Sequence, residues 1–209
     1  MKKEKPGSAK KKIILVAGAI ALIVLIALAW VLYWDFSNGH VVVRLGRYRG
    51  LTVDAGGRDA GQAVLDAVMS RTKFGRAAKR EADAAYESAM KAFLSEAEYL
   101  HMDFADYLAQ NYHMTEEEFR AKVRETSDAD VRQSAVLRAI AQREKITFSD
   151  DEMEKVMPYL LEAYGYTDEK EFAKNEDLEL IRDAMLLEKV RAFLVEKNTV
   201  VNAASQEQE

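Results

Sequence analysis

The sequence predicts an all-α fold: an N-terminal transmembrane helix, a short β ribbon and then a multihelical domain. Three observations support it: a 22-residue uncharged run, no glycine and one proline between residues 76 and 164, and apolar residues spaced three or four apart. The 209 residues divide into a basic cytoplasmic tail (1–12), a transmembrane helix (13–34), a membrane-proximal extended or β linker with a short helix (35–75), a helical domain (76–201) and a disordered tail (202–209).

The predicted membrane span begins at Ile13 and ends at Trp34. A helix of this length extends about 33 Å, enough to cross a hydrocarbon core of roughly 30 Å. Six lysines precede it and only three arginines follow closely, which places the N-terminus in the cytoplasm and the rest of the chain outside the cell membrane. The membrane-interface residues are predicted to be Lys10, Lys11, Lys12, Trp30, Tyr33 and Trp34.

A cleaved signal peptide is the alternative, because Ala27-Leu28-Ala29 resembles a cleavage site with small residues. The apolar run continues past that site through Trp30 and Trp34, however, and is longer than the usual core of a signal peptide. We therefore favour a retained single-pass anchor.

Charge separates the chain beyond the span into two parts. Residues 44–80 contain nine basic and three acidic residues, whereas residues 81–209 contain 15 basic and 30 acidic residues. The basic part is either a solvated face, which we favour, or a surface attracted to anionic lipid headgroups. The acidic majority makes nucleic acid a poor partner.

Local patterns predict the individual elements. Two short apolar runs, 41–43 and 51–53, are punctuated by glycine and predict a β ribbon or extended arm. Apolar residues from Ala82 to Leu100 line one face of a helix, and a shorter helix follows around Tyr107. A last long helix is expected over about 177–197.

Two capping boxes predict helix starts between these elements. Thr115 with Glu118 opens a helix that continues past Asp128, and Ser149 with Glu152 opens a second one. Gly165 is placed to end the second helix, and Pro158 inside it is expected to cause a kink.

Residues for catalysis are not arranged in any familiar pattern. The chain has no cysteine, its three histidines lack the spacing of metal ligands, and no nucleophile or phosphate-loop motif occurs. Acidic pairs stand at helix starts, where the helix dipole already explains them. We therefore expect no enzymatic activity, no metal and no cofactor.

Methionine and aromatic residues instead provide adaptable apolar surface after the span. The predicted substrate contacts are Phe93, Tyr107, Phe119, Met153 and Met157, near helix ends and the Pro158 kink. The alternative is that these side chains fill the cores between helices.

Short motifs follow one another in a specific order through the second half of the chain. They are DFADYL (103–108), MTEEEF (114–119), VRQSAVLRAIA (131–141), EKI (144–146), SDDE (149–152), YGY (164–166) and LEKVRAFL (187–194). This series resembles the C-terminal chaperone domain of bacterial trigger factor over about residues 81–201. LGRYRGL (45–51) is similar to the segment that precedes the isomerase domain in that family.

The departures from that family limit what the resemblance implies. No segment is similar to the ribosome-docking loop, and the residues between Val53 and Arg80 are too few for an FKBP-type isomerase domain. The resemblance therefore implies the helical substrate-binding part alone, in a setting closer to the SurA-like extracytoplasmic chaperones.

Our leading hypothesis is a membrane-tethered holdase that binds unfolded or newly translocated polypeptides without ATP. The alternative is a membrane-anchored adaptor or structural domain that docks one folded partner. A prolyl isomerase is a third and weaker hypothesis, because the residues for that domain are missing. The sequence leaves the oligomeric state open.

Overall fold

The computed structural model describes residues 39–202, which form seven helices and four short strands. The strands are β1 (Val42–Arg44), β2 (Thr52–Asp54), β3 (Lys73–Phe74) and β4 (Thr199–Val201). The helices are α1 (Ala60–Met69), α2 (Arg76–Tyr99), α3 (Phe104–Asn111), α4 (Glu116–Glu144), α5 (Asp150–Tyr164), α6 (Glu169–Asn175) and α7 (Leu178–Glu196).

Several of the predicted segments fall outside these residues. They are the basic tail, the span over 13–34 and all of the C-terminal tail except Asn202. Among the helices of residues 39–202, none has the length and apolar character needed to cross a membrane.

Both predicted capping boxes are confirmed. The Thr115 hydroxyl accepts the Glu118 backbone N–H, and the Glu118 carboxylate accepts the Thr115 N–H at 2.9 Å. Ser149 and Glu152 make the same reciprocal pair, again with a 2.9 Å return bond. Gly165 ends α5 with φ of 75°, a conformation that costs glycine little. Helix α5 runs through Pro158, and α4 continues unbroken past Asp128.

The two runs predicted to form a β ribbon or extended arm are strands, but they do not pair with each other. Strand β1 pairs antiparallel with β3, whereas β2 pairs parallel with β4, with Val53 opposite Val200. The loop between β1 and β2 makes hydrogen bonds with distant segments, so these two strands do not form a hairpin. Gly46 N–H donates to the Thr72 hydroxyl at 3.0 Å, and Gly50 N–H donates to the Lys197 carbonyl at 3.0 Å.

A central core joins this N-terminal segment to the long helices. Its buried members come from the 48–55 stretch, from α1 and from the C-terminal halves of α4 and α7: Tyr48, Leu51, Val53, Ala55, Ala63, Val64, Leu65, Val68, Val136, Leu137, Ile140, Ala141, Val190 and Leu194. An added Cβ at Gly46 would lie 2.6 Å from the Val68 carbonyl oxygen, so the loop backbone packs directly on α1. The described part of the predicted 35–75 linker thus contains the short helix α1 and contributes to this core.

Two smaller cores lie at the N-terminal ends of α4 and α7. The first lateral core is formed by α2, α3 and the start of α4, with buried residues Tyr86, Met90, Ala97, Tyr107, Leu108 and Phe119. The second lateral core is formed by α5, α6 and the start of α7, with buried residues Met153, Met157, Leu160, Phe172 and Ile181. Along α4, the 17 positions from Phe119 to Val136, the nearest buried member of the central core, separate the two cores by about 26 Å of helix.

Charged side chains attach the start of α5 to α7. Lys189 Nζ donates to Glu152 at 2.5 Å and to the Thr147 carbonyl at 2.9 Å. Arg182 donates to Asp150 at 2.8 Å and to the Phe148 carbonyl at 3.1 Å. The hydrogen bond from Lys189, followed by that from the Ser149 backbone, lowers the pKa of Glu152 from 4.5 to about 2.

Acid should therefore weaken this attachment in a defined window. The folded-state pKa of Glu152 is depressed, so its stabilisation is complete above pH 4.5 and is lost as the pH falls towards about 2. We expect Glu152→Gln to lower the melting temperature at neutral pH and to flatten its fall between these two values. Circular dichroism melting across this range measures both effects. Asp151→Asn, at an exposed carboxylate with no ion pair within residues 39–202, should leave the acid dependence unchanged.

Candidate functional site

The five predicted substrate contacts lie in the two lateral cores. Tyr107 is 2% exposed, Phe119 is 4% exposed, and Met153 and Met157 are each 6% exposed. Phe93 is partly buried, with its ring centroid 4.9 Å from that of Phe119. In this structure these residues are core residues, which corresponds to the alternative interpretation of their pattern. A polypeptide would reach the four buried ones only after the cores open.

Aromatic packing explains why the first lateral core is closed. The Phe119 ring meets Tyr112 at 4.9 Å and Phe104 at 6.2 Å between centroids, in tilted or edge-on arrangements that aromatic pairs favour. The Tyr107 phenol has a raised pKa, caused first by its hydrogen bond with Tyr112 and then by burial.

Arginines from α4 close the outer side of this core. The Arg124 guanidinium stacks on the Tyr86 ring at 3.9 Å and donates to Asp83 at 3.0 Å. Arg120 lies 5.9 Å from the Phe104 ring and donates to Glu116 at 2.7 Å. The planar guanidinium groups thus cover aromatic faces that would otherwise be exposed.

A different set of apolar residues remains exposed around the first lateral core. They lie at the end of α2 and in the turn between α3 and α4, and we call them the first apolar surface: Leu94, Tyr99, Leu100, Tyr112 and Met114. Tyr99 is the most open, at 82% exposure. His101 and His113, both with positive φ, form the sharp turns that display these side chains.

Met114 lies between two depressions that are open to solvent. One has a volume of about 680 Å³ and is lined by Ala105, Asp106, Ala109, His113, Met114, Thr115, Glu116 and Glu118. The other has a volume of about 550 Å³ and is lined by His113, Met114, Glu118, Ala121, Lys122 and Glu125. Their lining combines small apolar side chains with carboxylates, so a short side chain of a bound polypeptide could enter without displacing the core.

A second apolar surface surrounds the second lateral core. It consists of Tyr159, Tyr164 and Leu180, which are 73%, 51% and 67% exposed. Tyr164 contacts the buried Phe172 ring at 5.5 Å, whereas Tyr159 points away from the core formed by Met157 and Leu160. Exposed apolar side chains therefore lie next to both lateral cores.

The sequence carries a signal for two of these exposed residues. Tyr159 and Tyr99 follow Met157 and Ala97 by two positions, which is about 200° around a helix from a buried residue. Large aromatic residues that are out of phase with the buried face are candidates for exposure.

Between residues 39 and 202, no group of three His, Asp or Glu side chains is arranged to hold a metal ion. The acidic residues at the starts of α4 and α5 cap those helices, as described above.

Sequence comparison identifies relatives of this chain. A family model described as the C-terminus of bacterial trigger factor protein matches residues 59–196. Trigger factor of Caldicellulosiruptor saccharolyticus is 30% identical over 111 residues, which are 52% of this chain and 25% of that protein. Trigger factor of Caldicellulosiruptor bescii is 29% identical over the same shares. The chain thus spans about a quarter of the length of the curated relatives it matches.

Structure comparison leads to the same fold. A solved structure of trigger factor domains from Thermotoga maritima superposes with a TM-score of 0.52, covering 72% of this chain and 93% of that one, at 19% identity. The family match covers most of the described residues, including all seven helices from α1 to α7. The chain therefore belongs to the family of bacterial trigger factor C-terminal domains.

Proposed function

We propose that this protein is an ATP-independent chaperone that binds unfolded or newly translocated polypeptides through its two apolar surfaces. The observation that carries the proposal is the exposure of large apolar side chains at both lateral cores, from Tyr99 and Met114 to Tyr159 and Leu180. Membership of the trigger factor C-terminal family supports a chaperone-like role.

The composition of these surfaces suits varied and transient clients. Tyrosine supplies large contact area with a polar end, and methionine adapts its shape to different partners. Each surface is small and is separated from the other by the central core, so several weak contacts along one extended chain would add through their effective concentration. Such binding retains an unfolded segment without enclosing it.

Membrane tethering is the second part of the proposal. The uncharged run over 13–34, with lysines before it and aromatic residues at its end, supports a single span that leaves residues 39–202 outside the cytoplasm. Protease added to intact spheroplasts should degrade the C-terminal domain if this orientation is correct. Complete protection there, with cleavage in inverted vesicles, would place the domain in the cytoplasm instead.

The holdase activity is tested with the full chain in nanodiscs. We expect it to suppress light scattering by several unrelated denatured clients at stoichiometric amounts, and empty nanodiscs serve as the control. No suppression at excess would contradict the proposal. Recovery of one folded partner at fixed stoichiometry, without suppression, would favour the adaptor.

A further inference from the structure

A basic depression lies where the loop between β1 and β2 meets the end of α4. Its volume is about 390 Å³, and it is lined by Leu45, Gly46, Arg47, Tyr48, Arg49 and Arg143. It belongs to the central core side of the molecule and is separate from both apolar surfaces. Three of its six lining residues carry a guanidinium group.

The carboxylate of Glu144, beside the depression, is already bound. Glu144 accepts the Tyr48 hydroxyl at 2.7 Å and Arg49 Nε at 3.0 Å. These two donors lower the pKa of Glu144, so the group remains anionic and occupied at neutral pH. One carboxylate against three arginines leaves the depression with positive charge.

Two of the arginines have unused donors. Arg47 donates to the carbonyls of Arg49 and Gly50 at 3.0 and 3.1 Å, and within residues 39–202 it has no ion pair. Arg143 lies 5.8 Å from the Tyr48 ring and forms no direct ion pair in the described chain, although its charge contributes to the lowered pKa of Glu144. Arg143 is in the last turn of α4, where its charge also complements the helix carbonyls.

The walls of the depression are held in place by contacts with three other elements. The Asn198 side-chain amide donates to the Tyr48 carbonyl at 3.0 Å and to the Leu194 carbonyl at 2.7 Å. Gly46 is fixed against Thr72 and α1, as described above, and Tyr48 itself is 8% exposed. The guanidinium groups therefore project from a rigid base, which lowers the ordering cost of binding.

We infer that this depression binds a phosphate group. Planar guanidinium groups match phosphate oxygens in bidentate geometry, and paired charges of this kind form the stronger class of hydrogen bonds. The ligand could be an anionic lipid headgroup or a free phosphate compound. The proposed tether favours the lipid, because only ten residues lie between Trp34 and Leu45, a reach of at most about 40 Å.

Native mass spectrometry of the full chain in an uncharged detergent tests the site. We expect phosphatidylglycerol adducts to survive where phosphatidylcholine adducts do not. Inorganic phosphate and glycerol 1-phosphate, added at millimolar concentration, separate the two sources: displacement indicates a site for phosphate itself, and resistance indicates a lipid headgroup. Equal retention of both lipids would overturn the inference.

Substitutions distinguish the depression from general basic charge. Arg47→Gln with Arg143→Gln should reduce the phosphatidylglycerol adduct about tenfold or more, since each lost charged hydrogen bond matters at this scale. Lys73→Gln with Lys79→Gln removes the same amount of charge, from the basic part over residues 44–80, and should leave the adduct unchanged. An equal loss of the adduct in both double variants would indicate diffuse electrostatic attraction and would overturn the inference of a specific site.

A single substitution tests whether the effect of the double variant comes from a loosened loop. Arg143→Gln leaves the loop hydrogen bonds of Arg47 intact and should still reduce the adduct severalfold, at an unchanged melting temperature. Retention of the wild-type adduct in this variant would overturn the role of Arg143. The measurement uses neither client nor bilayer, so a negative result would not count against the proposed chaperone activity.

Discussion

Replacing Phe119 by alanine is expected to unfold the first lateral core while the central core remains folded. Phe119 lies in the first turn of α4, and its ring centroid is 4.9 Å from those of both Phe93 and Tyr112. Removal of a buried aromatic ring typically costs about 3–5 kcal/mol through lost transfer energy and the cavity that remains. Hydrogen exchange should show lost protection in α3 and the first half of α4.

An exposed aromatic residue of the same region provides the matched control. Tyr99→Ala removes a side chain that is 82% exposed, so its effect on the free energy of unfolding should stay within about 0.5 kcal/mol. If the amides of α3 were equally protected from exchange in the two variants, Phe119 would not be required for the stability of this core. The same comparison matters for function, because a loss of holdase activity in a Phe119 variant would report unfolding rather than a lost contact.

Local signals were sufficient to predict where two helices of this fold begin and where one of them ends. A capping box needs only two residues three positions apart, and both boxes, at Thr115 and Ser149, formed as the sequence indicated. Gly165 likewise ends α5 because one residue must adopt positive φ there. These features depend on neighbours within one turn, so no knowledge of the tertiary structure was required.

The strand pairing depends on distant partners, which the sequence did not indicate. Strand β2 pairs with β4, which lies about 145 residues later, and the Leu51 N–H donates to the Asn198 side chain at 2.7 Å. The short apolar runs predicted extended backbone correctly but carried no information on which partner would supply the hydrogen bonds. The depression was not predicted for the same reason, because Arg47 and Arg143 lie 96 positions apart in the sequence.

Helical periodicity identified apolar faces but not what covers them. Phe119 and Met157 lie on such faces, and the structure packs both against other helices within a lateral core. Whether a face is covered depends on how neighbouring helices dock, which a one-dimensional pattern does not specify. Tyr99 and Tyr159 remain exposed because they are out of phase with these faces, and both are changed in the functional prediction below.

Removing the exposed apolar groups from both surfaces is expected to abolish most holdase activity without unfolding the protein. The variant combines Tyr99→Ser, Met114→Ser, Tyr159→Ser and Leu180→Ser, at side chains that are 36% to 82% exposed. Each lost apolar contact with a client is worth on the order of 1 kcal/mol, so we expect client affinity to fall at least about tenfold. Scattering assays and client titrations measure this loss.

The control variant changes exposed polar residues of α2, α3 and α5: Glu98→Ser, Gln110→Ser, Lys155→Ser and Glu162→Ser. It should suppress aggregation as the unmodified protein does, and both variants should keep the helical circular dichroism signal, because exposed positions contribute little to the free energy of unfolding. Full activity in the apolar variant would exclude these surfaces as the client-binding site. Loss in the apolar variant alone would show that clients bind outside the closed cores, since Phe119 and Met157 are unchanged in it.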